Sequence, residues 1–146
     1  MELQNVTADR LQRALGNYRE REHLWASNGH DCASFANALL RDLWGVDLME
    51  RAGVHYYGYA QALEIMGQLD PEQAADKLLG AAVERVPVRL SAVGDLVVIA
   101  GSKVASVPWF GVHAGQRVVV AAAVGVAHVR LGRIVAAWRV APCLPL

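Results

Sequence analysis

The hydrophobic pattern of the chain changes near Gly80, and this change constrains the fold more than any single motif. Before it, apolar residues recur at spacings of three and four, as they do on one face of an α-helix. From Val83 onward the chain is rich in valine, interrupted by glycine and poor in helix signals. Short, closely spaced strands pair antiparallel, because a parallel crossover needs about a dozen residues. The order predicts an α+β fold, with N-terminal helices packed on a C-terminal antiparallel sheet.

The first part, about residues 7–80, is predicted to be helical. Thr7 is placed to cap the first helix, and Asp70 caps the last, with Pro71 in its first turn. Gly45 stands where the second helix should stop. The predicted helices are 7–20, 32–44, a short segment ending near Gly67, and 70–80.

The second part, about residues 83–140, is predicted to contain about five short strands. They are GDLVVIAG (94–101), WFGVHAG (109–115), QRVVVAAA (116–123), GVAHVRL (125–131) and AAWRV (136–140). Since neither a linker nor a repeat separates the two parts, residues 1–146 are predicted to form one domain.

Composition narrows the classes of partner and cofactor. Apolar residues make up 54% of the chain, and 14 basic residues balance 14 acidic ones. Without a basic stripe, nucleic acid is not expected as a partner. No run reaches the roughly 18 apolar residues that cross a bilayer, so membrane insertion is not expected. The start, MELQNVTADR, lacks the pattern of a signal peptide. Cys32 and Cys143 form no disulfide framework or zinc motif, and we expect no metal or cofactor.

Cys32 stands at the predicted start of a helix, in NGHDCASFANALL (28–40). A helix N-terminus favours a thiolate, so Cys32 is a candidate nucleophile. It also lies on the apolar stripe of the helix, where a cysteine is commonly an inert core residue. Asp31 is predicted to cap the helix, and its charge would oppose formation of the thiolate.

Several segments together resemble a known family. The residues G-H-D-C-A-S-F (29–35) resemble the Gly-x-Asp-Cys-[Ser/Ala]-x-Phe motif of NlpC-type, papain-like cysteine peptidases that cut cell-wall peptides. GDLVVIAG and FGVHAG resemble two strands of that family. With the early YREREHLW and the closing AAWRV, the match narrows to a small family from phage and prophage tail modules related to these peptidases. The resemblance covers about Leu11 to Val140 and implies an NlpC-like fold.

The chain departs from that pattern at both partners of the nucleophile. The catalytic histidine of the NlpC pattern falls on Trp109, which would cover a former cleft, and the third polar position falls in Val118–Ala122, only valine and alanine. Tryptophan cannot accept a proton, because its indole N–H only donates. His113, predicted on the same strand face as Trp109, is the first candidate base, and His30 is the alternative.

The segment AGVHYYGYA (52–60) is a second unusual stretch. Tyr56 and Tyr57 are candidate binding residues, because tyrosine gives large, rigid contact area. The alternative is that Tyr59 packs in the core and the other two tyrosines cover loop backbone.

The resemblance implies two functions. The first is a structural component of a phage tail tip or baseplate, a pseudo-enzyme that contacts hub, distal tail or tip proteins. Such a protein would be made in the host cytoplasm and reach the virion tail without a signal peptide. The second is an active cysteine hydrolase carried on the tail, a peptidoglycan endopeptidase or amidase with Cys32 as nucleophile.

Overall fold

The computed structural model describes residues 2–80, 82–101 and 109–140, with side chains from residue 7 onward. Helices come first and strands follow, which confirms the predicted α+β class. The helices are α1 (Glu2–Leu15), α2 (Cys32–Trp44), α3 (Leu48–Ala52), α4 (Tyr59–Met66) and α5 (Pro71–Leu78). The strands are β1 (Val83–Val86), β2 (Leu96–Ile99), β3 (Trp109–His113), β4 (Arg117–Ala121), β5 (Val126–Arg130) and β6 (Ile134–Val140).

The described strands form one antiparallel sheet in the order β1-β6-β2-β3-β4-β5. The sheet has six strands, so the prediction of about five was one short. The missed strand is β1, which pairs with β6 from Val83↔Val140 to Val86↔Ala137. Only Val83 of this edge strand is buried, and Glu84 and Arg85 face solvent. The sequence VERV therefore lacks a strand-like hydrophobic pattern.

Both faces of the sheet are covered with buried side chains. One face packs beneath α1 and α2 and contributes Leu96, Val98, Phe110, Val112, Val119 and Trp138 to the main core. The other face forms a second cluster from Val97, Ile99, Val118, Val120, Ile134 and Ala137. Burial on both faces explains why β2 and β4 are nearly continuous valine runs rather than alternating ones.

The helix ends depart from prediction in ways that the caps explain. α1 begins at Glu2 rather than Thr7, and Thr7 is a buried residue within the helix, so it is not a cap. α2 ends at Gly45, whose φ of 71° is the left-handed conformation that glycine adopts readily. α3 was not predicted; it is a single short turn of helix whose N-cap is Asp47. α5 ends at Leu78, with Leu79 and not Gly80 as its cap.

α4 is the least buried helix in the described part of the chain. None of its eight residues is fully buried. Ala62 and Ile65 pack against a small cluster of Met49, Val54 and Tyr56, separate from the main core. No described helix is both long and apolar enough to cross a membrane.

Candidate functional site

Asp31 caps α2, as the sequence predicts. Its Oδ1 accepts hydrogen bonds from the N–H of Ala33 at 3.0 Å and of Ser34 at 2.9 Å. The Ser34 hydroxyl oxygen in turn accepts from the N–H of Asp31 at 2.9 Å, which completes a capping box. Asp31 is only 1% exposed, so its carboxylate depends on these hydrogen bonds.

The second carboxylate oxygen of Asp31 anchors the loop that carries the tyrosines. Oδ2 accepts from the Tyr56 hydroxyl at 2.7 Å and from the Ala26 N–H at 3.3 Å. Burial raises the pKa of Tyr56, and the charge of Asp31 acts in the same direction, so the phenol stays a donor. Tyr56 is therefore a buried anchor, whereas Tyr57 is 71% exposed. The structure separates the two tyrosines that the sequence grouped as binding residues.

His30 is turned away from the cysteine toward the β4–β5 connection. Its Nε2 lies 2.6 Å from the carbonyl oxygen of Gly125, and since a carbonyl only accepts, Nε2 carries the proton. The imidazole also packs edge-on against Phe35, with ring centroids 5.5 Å apart. His30 is 1% exposed, and its Nδ1 has no hydrogen-bond partner within the described ranges. The side chain of His30 therefore joins its own loop to the β4–β5 connection.

Gly125 and Gly29 make this close packing possible. Gly125 has a φ of 75°, and a Cβ there would collide with the backbone carbonyl of Arg19. A Cβ on Gly29 would lie 2.5 Å from the carbonyl oxygen of Leu24. The glycine of the Gly-His-Asp-Cys segment is thus required by backbone packing.

Cys32 is the first residue of α2 and is partly buried. Burial raises the pKa of its thiol to about 11. The backbone N–H groups of Phe110, Ala33 and Cys32 favour the thiolate, and the charge of Asp31 opposes it. The balance leaves the thiol protonated at neutral pH, which is the opposite of an activated nucleophile.

A cavity of about 920 Å³ opens beside Cys32. It lies among α2, α4, α5 and the sheet, and most of its lining is aliphatic. The described lining includes Leu48, Met49, Leu63, Ile65, Met66, Leu78 and Phe110. Three rings at the cavity contact one another in series: the centroid of Trp25 lies 4.9 Å from that of His23, edge-on, and 4.9 Å from that of Tyr59, at a tilt of 53°.

Trp109 and Cys32 both line this cavity. Trp109, however, packs against the second cluster of the sheet, whereas Cys32 packs against the main core, so the residue at the predicted histidine position lies on the other face of the sheet from the thiol. His113 does not line this cavity. It stands four residues further along β3, about 13 Å at a strand rise of about 3.3 Å per residue. His113 is 6% exposed and lines a different cavity. Burial lowers its pKa, and its Nδ1 accepts the N–H of Gly115 at 3.0 Å. The structure therefore does not bring His113 to Cys32.

His23 is a cavity residue that the sequence reasoning missed. It lines the same cavity as Cys32, because its N–H donates to the carbonyl of Ala123 at 2.8 Å and holds the segment against the β4–β5 connection. This placement depends on a long-range pairing that no local pattern indicates. No described histidine forms a hydrogen bond with the Cys32 thiol. Among the described residues, no group of three or more His, Cys, Asp or Glu side chains is arranged to hold a metal.

A family model described as "Domain of unknown function (DUF6950)" matches residues 3–140, and the chain belongs to that family. No curated protein matches the chain.

Proposed function

We propose that this member of the DUF6950 family is a structural component of a phage or prophage tail tip or baseplate. It is built on an NlpC-like fold that has lost peptidase activity. The observation that carries this proposal is the state of Cys32, whose thiol has a pKa raised to about 11 by burial and no described histidine as hydrogen-bond partner. A cysteine peptidase needs a base within hydrogen-bond reach of its nucleophile.

The placement of the other motif residues supports the same proposal. Asp31 and His30 both make buried hydrogen bonds that hold loops together. The fold therefore needs the residues of the Gly-His-Asp-Cys segment even if Cys32 catalyses no reaction. The position where the resemblance expects a histidine holds Trp109, whose indole cannot act as a base.

The surface around the cavity supports a role in assembly. Two large apolar residues that line the cavity, Tyr59 and Leu63, are 53% and 50% exposed. Leu24, Tyr57 and Val124 are also between 44% and 71% exposed, and the bridges of Glu22 with Val124 and of Ala26 with Tyr57 bring these three to the segment 22–26. Exposed large apolar side chains that lie together commonly mark a protein contact. The proposed partners are other tail proteins of the hub, distal tail or tip.

Mass spectrometry of tails purified from induced lysates tests this proposal. The chain should copurify with the tail at a fixed ratio to a known tail subunit. A virion with Cys32→Ala should assemble normally, because the thiol has no chemical task. If the chain is found only in the soluble lysate, the structural role is wrong.

A cysteine hydrolase is the second candidate, and one observation favours it. Three backbone N–H groups, those of Phe110, Ala33 and Cys32, act on the sulfur in the direction that stabilises negative charge. Such donors could form an oxyanion site. His23 lines the same cavity and is the base that we would test there. Release of soluble peptides from purified peptidoglycan by the wild type, lost in both Cys32→Ala and His23→Gln, would establish the enzyme.

The variant Trp109→His tests whether the fold can still support a peptidase site. If the NlpC-like alignment is correct, an imidazole at position 109 would come within hydrogen-bond reach of the Cys32 thiol and lower its pKa. Alkylation of Cys32 at pH 7 should then accelerate relative to the wild type. Trp109→Phe is the matched control, because it changes the size of the ring without supplying a base.

A further inference from the structure

A second cavity, lined by several polar residues, has no role in the proposal above. Its volume is about 550 Å³, and it is formed by α1, the loop 91–93 and the β3–β4 turn. The polar side chains that line it are those of Gln12, Ser91, His113, Gln116, Arg117 and His128. Among its described lining residues none carries a carboxylate.

The strand register places a second arginine across from the first. Arg117 of β4 pairs directly with Arg130 of β5, so both side chains project from the same face of the sheet. His128, two residues before Arg130, projects from that face as well. We call these three residues the cationic cleft; Arg117 and His128 line the cavity, and Arg130 stands opposite Arg117 on the neighbouring strand.

Like charges directly opposite each other on paired strands destabilise a sheet. Two other exposed arginines have acidic partners, since Arg85 pairs with Glu72 and Asp76, and Arg139 pairs with Asp95. Neither Arg117 nor Arg130 has an ion pair or a side-chain hydrogen bond in the described part of the protein. A repulsive pair beside a carboxylate-free cavity is the arrangement that a bound anion would stabilise.

The neighbouring groups fit an anion that carries several acceptor oxygens. The guanidinium groups supply paired N–H donors that suit phosphate and carboxylate geometry. Gln12 and Gln116 are exposed and add amide donors. His113 pairs with Val118, so its side chain projects from the opposite face of the sheet and adds no donor between the two arginines. Asp95, whose charge acts on His113, is already paired with Arg139 at 3.1 Å.

We propose that the cationic cleft binds a multiply charged oxyanion, of which phosphate is the simplest, between Arg117 and Arg130. The site is independent of Cys32 and of the peptidase resemblance. The same donors serve a phosphate group or a cluster of carboxylates, so the two sources need separate probes.

The test is titration of the full chain with inorganic phosphate and, separately, with citrate, at constant ionic strength set by sodium chloride. Two-dimensional NMR of the histidine rings is the readout, because His128 belongs to the cleft and His55 lies outside it. We expect saturable shifts of the His128 signals and not of the His55 signals. Affinity should fall about tenfold or more in Arg117→Gln and in Arg130→Gln, since hydrogen bonds to charged groups are strong. Lys77→Gln on α5 removes one charge elsewhere and should change affinity less than about twofold.

A stability measurement keeps the proposal falsifiable if a variant folds differently. Without added anion, Arg130→Gln should melt at a higher temperature than the wild type, because it removes the repulsion. With saturating phosphate, the order should reverse. A preference for citrate that is lost in both arginine variants would identify carboxylates as the source and support the site. Shifts that do not saturate, or an equal loss of affinity in Lys77→Gln, would overturn it.

Discussion

Helices α2 and α5 both begin with a capping box, but the cap of α2 is buried and that of α5 is exposed. Asp31 starts α2 and Asp70 starts α5, and each forms a capping box with the residue three positions later. Asp70 is exposed, and its bonds are local ones with Gln73. Asp31 is 1% exposed and also holds Tyr56 and the Ala26 backbone.

Burial increases the contribution of a helix cap to the stability of the fold. An exposed N-cap satisfies helix N–H groups that water could otherwise solvate. A buried cap satisfies groups that nothing else can reach, and its loss leaves them unpaired. In this chain the aspartate beside the cysteine is therefore a structural anchor, whatever the chemistry of the thiol.

The largest expected effect comes from removing the buried cap. Asp31→Ala should lower the free energy of unfolding by about 3–5 kcal/mol, because it removes a cap and leaves buried N–H and O–H donors without a partner. Asp70→Ala should lower it by about 1 kcal/mol, as an exposed cap does. Urea denaturation of both variants measures the difference. Equal losses would mean that the contacts of Asp31 with Tyr56 and Ala26 contribute nothing.

A second prediction concerns the pH dependence of stability next to this cap. The Cys32 thiol keeps its proton up to about pH 11 in the folded protein, whereas an unfolded cysteine ionises near about pH 8.5. A group whose folded pKa is raised stabilises the fold below the unfolded pKa and loses that contribution as pH rises. Between these two values the free energy of unfolding should fall by about 2 kcal/mol more than in Cys32→Ala.

Unfolding curves at several alkaline pH values, in a Cys143→Ser background, check this second prediction. Titration of tyrosines and lysines is common to both proteins and cancels in the difference. A pH dependence that is the same with and without Cys32 would show that the thiol ionises alike in both states.

The third prediction concerns the two neighbouring tyrosines of the segment 52–60. Tyr56→Phe removes the hydroxyl that donates to Asp31 and should cost about 1–2 kcal/mol of stability. Tyr57→Phe is the matched control, and since Tyr57 is 71% exposed it should change stability by less than about 0.5 kcal/mol. Thermal unfolding of the two variants measures both changes in stability. A larger loss from Tyr57→Phe would reverse the assignment of anchor and surface residue.

The sequence predicted those features that depend on neighbours in the chain. The start of α2 at Cys32, the cap by Asp31, the stop at Gly45 and the start of α5 after Asp70 all follow from local patterns. The α+β order follows from the change of hydrophobic period near Gly80.

The sequence could not predict those features that depend on distant pairings. β1 was missed because an exposed edge strand shows no alternation. The bond between Tyr56 and Asp31 joins residues 25 positions apart. The contact of His30 with Gly125 spans 95 positions and gives a motif residue a structural task that local spacing does not reveal. His113 was a candidate base because it shares a strand face with Trp109, but a shared face does not bring residues four positions apart on a strand to the same partner.

The pH dependence of Cys32 alkylation in the folded Cys143→Ser protein tests whether the thiol is inert. We expect slow modification at neutral pH and an apparent pKa near 11, because burial keeps the thiol protonated. Fast modification with an apparent pKa below that of an ordinary cysteine, about 8.5, would contradict it. That result would mean that Cys32 is an activated nucleophile, and the hydrolase would become the better account of the protein.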